Sequence, residues 1–524
     1  MTARADVIAR GGIVASSHAL AVSAGLEILR KGGTAFDAAI ATSAVLAVVE
    51  PSSSHLGGDA FVITHRKKDR ENLAFNGSGE APHSAVRSSF TDHIPLHGYK
   101  SATVPGLVST WFAIHEYGGS LPIGDLLAPA IEYAEAGFPT NRVIARRVSA
   151  QAAEFPELFK EMGIQARLGA GDLVTQPNLA RSLKVIANEG RAGFYEGEIA
   201  KRLIESTAGW FNAADLRNHT TRVLPPLSIK YRDHVIHGQP PPSQGMILME
   251  ELLIAQGFDL AGATPADRIH MMVEAKKIAF ADRNALLGDP EKIDVGLAKL
   301  FSADSIAHRR AQIDNSRANN QPTRVNQEGN DTTYFLVADR EGNALSWIQS
   351  VFHSFGASWA IPGTGIILNN RLTGFSLDKS SPNYIAPGAR PAHTLNAWAA
   401  TRDDGSLALV GGTPGANIQV QTNFQLVVNA LDLKMSPQEN VEAPRWQHLN
   451  KPFANDDVED FRGVLQVENR VPYSVLAELK RRGHQLQELP AFGHGSSVQL
   501  LEVRPDGTYI AGSDPRSEGL AAGY

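Results

Sequence analysis

The hairpin encoded by residues 331–351 constrains this chain more than any other stretch. Tyr334 to Ala338 is an apolar, β-prone run, Glu341-Gly342-Asn343 supplies turn chemistry, and Ala344 to Val351 carries a second, mostly apolar run. Thr332 and Thr333 stand at the head of the first strand. β-Branched residues suit strand starts, so the hairpin alone gives these threonines no further meaning.

The segment leading into the hairpin is of another kind. Ser302 to Asn330 is rich in Asn, Gln, Arg and Ser and nearly free of large apolar residues after Ile313, which predicts an exposed, mobile linker. A linker feeding directly into a buried strand makes sense if the chain is cut where the two join. Scission of the Asp331-Thr332 bond gives Thr332 a hydroxyl and a free α-amine together, the pairing of an N-terminal threonine nucleophile. The amine suits the role of base, because an ordinary pKa of about 7.7 to 8.0 leaves a neutral fraction near pH 7. Such chemistry requires no metal or cofactor.

Composition narrows the partner. The 524 residues are 43% hydrophobic and 20% charged, enough for a large core in a globular chain. A formal charge of -6 without long blocks of like charge leaves no footprint for nucleic acid or an anionic membrane, so a small-molecule partner is expected. The absence of cysteine excludes disulfides, thiolate metal sites and cysteine nucleophiles. Met1 to Gly12 carries charges, and the next apolar segment is broken by Ser16, Ser17 and His18. Neither a signal peptide nor a membrane span is expected there, and a cytoplasmic enzyme is the simplest assignment.

Helical spacing over His18 to Arg30 ends at Lys31-Gly32-Gly33, and Ala35 to Val49 is apolar nearly all round, which predicts a buried helix. Gly57 and Gly58 serve either a tight turn or a close backbone approach to a ligand. Tyr231 to Ile236 reads as a strand, Pro240 to Gly245 as a rigid entry loop, and Asp267 to Arg283 as an amphipathic helix. Further hairpins turn at Arg402-Asp403-Asp404-Gly405 and Pro505-Asp506-Gly507, with helical stretches over 419–431 and 475–482 between them. With no internal repeat and no flexible tether, these elements predict one intertwined α/β sandwich.

Several motifs follow one another in a fixed order: Gly32-Gly33-Thr34-Ala35-Phe36-Asp37, Leu56-Gly57-Gly58-Asp59-Ala60-Phe61, Pro240-Pro241-Pro242-Ser243-Gln244-Gly245, Glu274-Ala275-Lys276-Lys277 through Arg283, Asp331-Thr332-Thr333, Gly411-Gly412-Thr413-Pro414-Gly415, and Ser513-Asp514-Pro515-Arg516. Together they resemble the γ-glutamyltranspeptidase family of N-terminal-nucleophile hydrolases, over essentially the whole chain. The resemblance implies a four-layer αββα sandwich, self-cleavage before Thr332, and a heterodimer of residues 1–331 and 332–524. It implies Thr332 as nucleophile, Thr333 as its orienting neighbour and Ser350 as a supporting hydroxyl. It also implies the backbone N-H groups of Gly415 and Ala416 as the oxyanion pair. Ala416 replaces a glycine, a change that a backbone donor tolerates unless positive φ is required.

The departures gather where a γ-glutamyl group would sit. Phe352 stands for an asparagine, Arg371 and Gly374 for a glutamine and an aspartate, Ser78 for an arginine, and His393-Thr394 for paired serines. Losing an aspartate and gaining Arg371 exchanges a site for an ammonium for one suited to a carboxylate. Phe352 is expected to narrow and dry the pocket. Arg371 is also compatible with a surface ion pair, and His393 with packing beside Arg390-Pro391. The pattern resembles the family's oxamate amidohydrolase branch, which implies hydrolysis of a terminal amide beside a carboxylate. A γ-glutamyl hydrolase or transpeptidase, an acylase for larger dicarboxylic amides, and an unprocessed scaffold remain as alternatives.

Overall fold

A computed structural model describes residues 2–320, 331–449 and 463–524. Two seven-stranded antiparallel sheets face one another between two helical layers. The first sheet runs, in spatial order, Leu520–Gly523, Gly12–Ser16, Asp331–Asp339, Ala344–Phe352, Asp59–Arg66, Glu71–Gly77 and Arg222–Leu224. The second runs Val7–Ala9, Tyr509–Ser513, Gln499–Val503, Leu407–Gly412, Trp398–Arg402, His234–Gly238 and Leu227–Tyr231. This is the αββα sandwich expected from the sequence.

Alternation along the central hairpin divides its side chains between two cores. Tyr334, Leu336 and Ile348 meet Val410 and Leu501 between the sheets. Phe335, Val337, Leu345 and Trp347 turn outward onto the helices, among them Ala35–Val49, whose 15 residues are all buried. A capping box between Thr34 and Asp37 starts that helix, satisfying backbone donors that would otherwise be orphaned. With both faces covered, the hairpin strands carry almost no polar alternation.

The register of the hairpin breaks where the chemistry is expected. Asp331 pairs with Phe352 but Thr333 pairs with Gln349, so the ladder shifts across Thr332. A bulge re-aims side chains locally. Beyond it, Ser350 pairs with Asp59 of the neighbouring strand.

Three local expectations need correction. Tyr231 to Ile236 is not one strand: Leu227–Tyr231 and His234–Gly238 form a hairpin, and Arg232 turns it at a φ of 53°. The expected linker contains a helix, Ala303–Arg310, capped by Ser302. It is anchored by Ile306, its one buried apolar side chain, and by Arg309, which pairs with Glu250 at 2.9 Å and Asp282 at 2.6 Å, so it offers no apolar period for the sequence to reveal. Residues 321–330 of that linker lie outside the described residues. The helix over Pro265–Leu286 has its apolar face, but His270, Glu274 and Lys276 on its polar side are buried as well.

Candidate active site

Two hydroxyls converge on one carbonyl at the head of the hairpin. Thr332 Oγ1 lies 2.7 Å from the Asp331 carbonyl oxygen, and Ser350 Oγ donates to the same oxygen at 2.7 Å. The hydroxyls are 3.2 Å apart, and the Phe352 N-H donates to Ser350 Oγ at 2.8 Å. Ser350 is thus oriented by its own strand end to polarise the carbonyl that joins Asp331 to Thr332. Thr333 points to the opposite face, where its hydroxyl meets Ser17 Oγ at 2.7 Å. Ser17 in turn donates to Glu50 at 2.7 Å. Burial pushes the Glu50 carboxyl up, against the pull of these hydroxyls and of Arg147.

Asp331 is held on its own. Its Oδ1 accepts from Ser53 Oγ at 2.7 Å and sits 2.7 Å from Arg147 Nη1. Arg147 also donates to Ser52 Oγ at 3.0 Å and Ser53 Oγ at 2.7 Å. Burial raises the Asp331 carboxyl, with Arg147 and Ser53 opposing.

Gly415 and Ala416 lie in the loop between the Leu407–Gly412 strand and the Ile418–Leu431 helix, close to the positive end of its dipole. Among the described residues neither backbone N-H has an acceptor. The condition set on the alanine is met in an unexpected way: Ala416 does take positive φ, 46°, and so carries strain that a glycine would avoid. The loop is clamped by Gln244, whose Nε2 donates to Ala416 O at 2.8 Å and Thr394 O at 2.7 Å. The proline-rich entry loop therefore ties two site segments together.

A buried charge cluster surrounds Asp59. Arg371 Nε is 3.5 Å and His393 Nε2 3.2 Å from Asp59 Oδ2, and the Gly79 N-H donates to Oδ1 at 3.1 Å. His393 Nδ1 accepts from the Leu395 N-H at 3.2 Å, so its proton belongs on Nε2, facing Asp59. Burial, reinforced by Arg371 and Arg390, drives the His393 pKa well below the ordinary range and keeps the ring neutral. Burial pushes Asp59 up to about 7 although Arg371 draws it down, and lowers Arg371 to about 10.

Arg371 is neither on the surface nor open to the pocket. It is 1% exposed, with Phe352 lying over its guanidinium at 4.0 Å and Thr394 Oγ1 accepting from Nη1 at 3.2 Å. Phe352 reaches this position with a φ of 85°. A cleft of about 280 Å³ opens beside it, lined by Phe352, Thr373, Gly374, Asn383, Ala392 and Thr394. His393 is turned away from that cleft. Ser78 is buried and donates to Asn76 Oδ1 at 2.6 Å, while Arg390 donates to the Asn76 carbonyl at 3.0 Å and pairs with Glu80.

Sequence reasoning missed Asp59, Arg147 and Gln244 as members of the site. Asp59 had a signal, a lone carboxylate at the head of the apolar run Ala60-Phe61-Val62-Ile63. Arg147 had none, since Arg142-Val143-Ile144-Ala145-Arg146-Arg147 resembles a solvated helix face. Gly57 and Gly58 serve neighbouring backbone instead of a ligand: a Cβ on Gly57 would stand 2.0 Å from the Ile367 carbonyl oxygen, and one on Gly58 2.5 Å from that of Ser350. Among the described residues no helix is long and apolar enough to cross a membrane.

Comparison with known proteins agrees with this architecture. The chain is 34% identical to a glutathione hydrolase-like proenzyme of Bacillus subtilis, over 99% of each chain. It is also 34% identical to the oxamate amidohydrolase proenzyme of Klebsiella pneumoniae, over 98% of each. The crystal structure of cephalosporin acylase from Bacillus halodurans superimposes with a TM-score of 0.92 at 31% identity, covering 100% of this chain and 98% of that one. The family model described as Gamma-glutamyltranspeptidase matches residues 21–524. With its two-sheet sandwich and hydroxyl-flanked Thr332, the chain belongs to the γ-glutamyltranspeptidase family.

Proposed function

We propose that this chain is the precursor of a self-processing threonine amidohydrolase that acts on a small amidated carboxylate, with oxamate as the first substrate to test. The observation that carries the reading is the convergence of Thr332 and Ser350 on the Asp331 carbonyl. Thr332 Oγ attacks that carbon, the C-N bond breaks, and the nitrogen takes the hydroxyl proton to become the α-amine. Water then hydrolyses the Asp331 ester, releasing a carboxyl end on residues 1–331 and a free hydroxyl on the first residue of 332–524.

In turnover the same Oγ attacks the substrate amide and the Thr332 amine carries its proton to the departing ammonia. The N-H groups of Gly415 and Ala416 receive the oxyanion, and water hydrolyses the acyl-threonine. The cleft between Phe352 and Thr394 is the substrate's way in, with Arg371 and His393 buried behind it. Each step uses only side chains, backbone and water.

Thr332→Ala is expected to remain one chain by intact mass and to release no ammonia from oxamate, whereas the wild type divides before Thr332. Amidase activity in the uncut variant would falsify the scheme. The glutathione hydrolase-like relative favours a second reading, γ-glutamyl hydrolysis or transfer, and the acylase neighbour a third, on larger dicarboxylic amides. Activity on a γ-glutamyl anilide without ammonia release from monoamides would select the second.

A further inference from the structure

The side chain of Asp331 fills an anion site that the self-cleavage reaction empties. Arg147 Nη1 and Ser53 Oγ both lie 2.7 Å from Asp331 Oδ1. The Asp331 side chain is 4% exposed and that of Arg147 31%, so the guanidinium reaches inward from the surface to a buried carboxylate. The other acidic group near this guanidinium, Glu50, is engaged by Ser17. For a substrate to reach Thr332 Oγ, the new carboxyl end at Asp331 has to clear the nucleophile. Its departure removes the one carboxylate among the described residues in direct contact with Arg147, leaving the guanidinium with Ser52, Ser53 and the more distant field of Glu50, and a guanidinium that loses a contacting carboxylate favours a replacement.

Resting on the amidohydrolase reading above, we infer that after self-cleavage Arg147 and Ser53 bind the carboxylate of the substrate where the Asp331 side chain lay, and that the preferred substrate is the monoamide of a four-carbon dicarboxylic acid. Self-cleavage and turnover pass through the same covalent species, an acyl group esterified to Thr332 Oγ. In the first, the acyl group is Asp331 itself, and two carbons, Cα and Cβ, separate the reacting carbonyl from the carboxylate. Succinamate reproduces that spacing. Its carboxylate meets Arg147 when its carbonyl meets Oγ, ammonia leaves as the ester forms, and water returns succinate and the free hydroxyl.

Oxamate bears its carboxylate directly on the reacting carbonyl and falls short of Arg147 by two C-C bonds, about 2.5 Å. Arg371 is a weaker anchor, because it is buried and Phe352 roofs its guanidinium.

The test compares ammonia release from oxamate, malonamate, succinamate and glutaramate by self-cleaved enzyme. Succinamate is expected to exceed oxamate about tenfold or more in kcat/KM, and Arg147→Gln to raise its KM by about tenfold or more with kcat little changed, as for loss of one charged hydrogen-bond partner. If Arg147→Gln fails to mature, succinate titration by calorimetry decides: it should bind the cleaved wild type and not uncut Thr332→Ala, in which Asp331 still occupies the site. A preference for oxamate with succinate binding both forms or neither overturns the subsite. Binding to the cleaved form alone, without hydrolysis of any monoamide, sustains the subsite and overturns the amidohydrolase reading.

Discussion

Ser350 contributes by where its proton points. Its Oγ donates to the Asp331 carbonyl while accepting from the Phe352 N-H, so its rotamer is fixed before any bond is made or broken. A donor aimed at developing negative charge is worth about 10²- to 10³-fold in rate. Ser350→Ala is therefore expected to slow self-cleavage by about that factor while leaving a folded precursor, followed as loss of the full-length band with time. That Thr332 and Ser350 stand together was legible in the sequence because short, ordered motifs carry them; their roles, and that of the Gly415-Ala416 loop, belong to the proposed function. The surroundings of Arg371 were not legible: its position suggested a site suited to a carboxylate or a surface ion pair, and only the packing of Phe352 and Asp59 around it reveals a covered guanidinium. A charge alone does not say which other charge it will meet.

At the level of elements, the facing sheets leave little room where the loop carrying Gly415 and Ala416 departs. A Cβ added to Gly412 would stand 2.3 Å from the ring of Tyr334, which is fully buried and hydrogen-bonded to Ser346 at 2.8 Å. Gly412→Ala therefore has to shift a strand or a ring, and overpacking of this kind costs about 1 to 3 kcal/mol. A lower urea midpoint at unchanged slope, measured in the uncut Thr332→Ala background, is the expected result. Strands and helices with clear apolar periodicity were readable in advance, the Ala35–Val49 helix above all. The Ala303–Arg310 helix was not, because a lone buried Ile306 makes no periodicity and its other anchor, Arg309 with Glu250 and Asp282, leaves no record in hydrophobic patterning.

Across the whole molecule, buried carboxyls make stability depend on pH. Burial raises Asp59 to about 7, so the folded chain holds a proton that the unfolded chain has already released. The stabilisation from this group is fully present below the ordinary carboxylate range and is lost as pH rises through about 7. Asp59→Asn should flatten the fall in melting temperature between about pH 4 and 7 relative to wild type, whatever it does to the absolute level. Glu250, raised to about 9 by burial and by Asp282, acts with the same sign at higher pH. An unchanged slope in the variant would assign the pH dependence to other groups.

The strand that begins at Asp331 lies in the interior of its sheet, flanked by Gly12–Ser16 on one side and, through its hairpin partner, by Asp59–Arg66 on the other. Its backbone is ordered by segments that precede it by hundreds of residues, and the hydroxyls that would cut it are aligned only once that order exists. If the proposed self-cleavage occurs, folding therefore comes first and scission second. Two pieces cut in this way would inherit an arrangement specified by a continuous chain. The persistence of such a cleaved protein would be a question of lifetime, set by how slowly the interlocked pieces come apart, because reversible unfolding would require the covalent connection that scission removes.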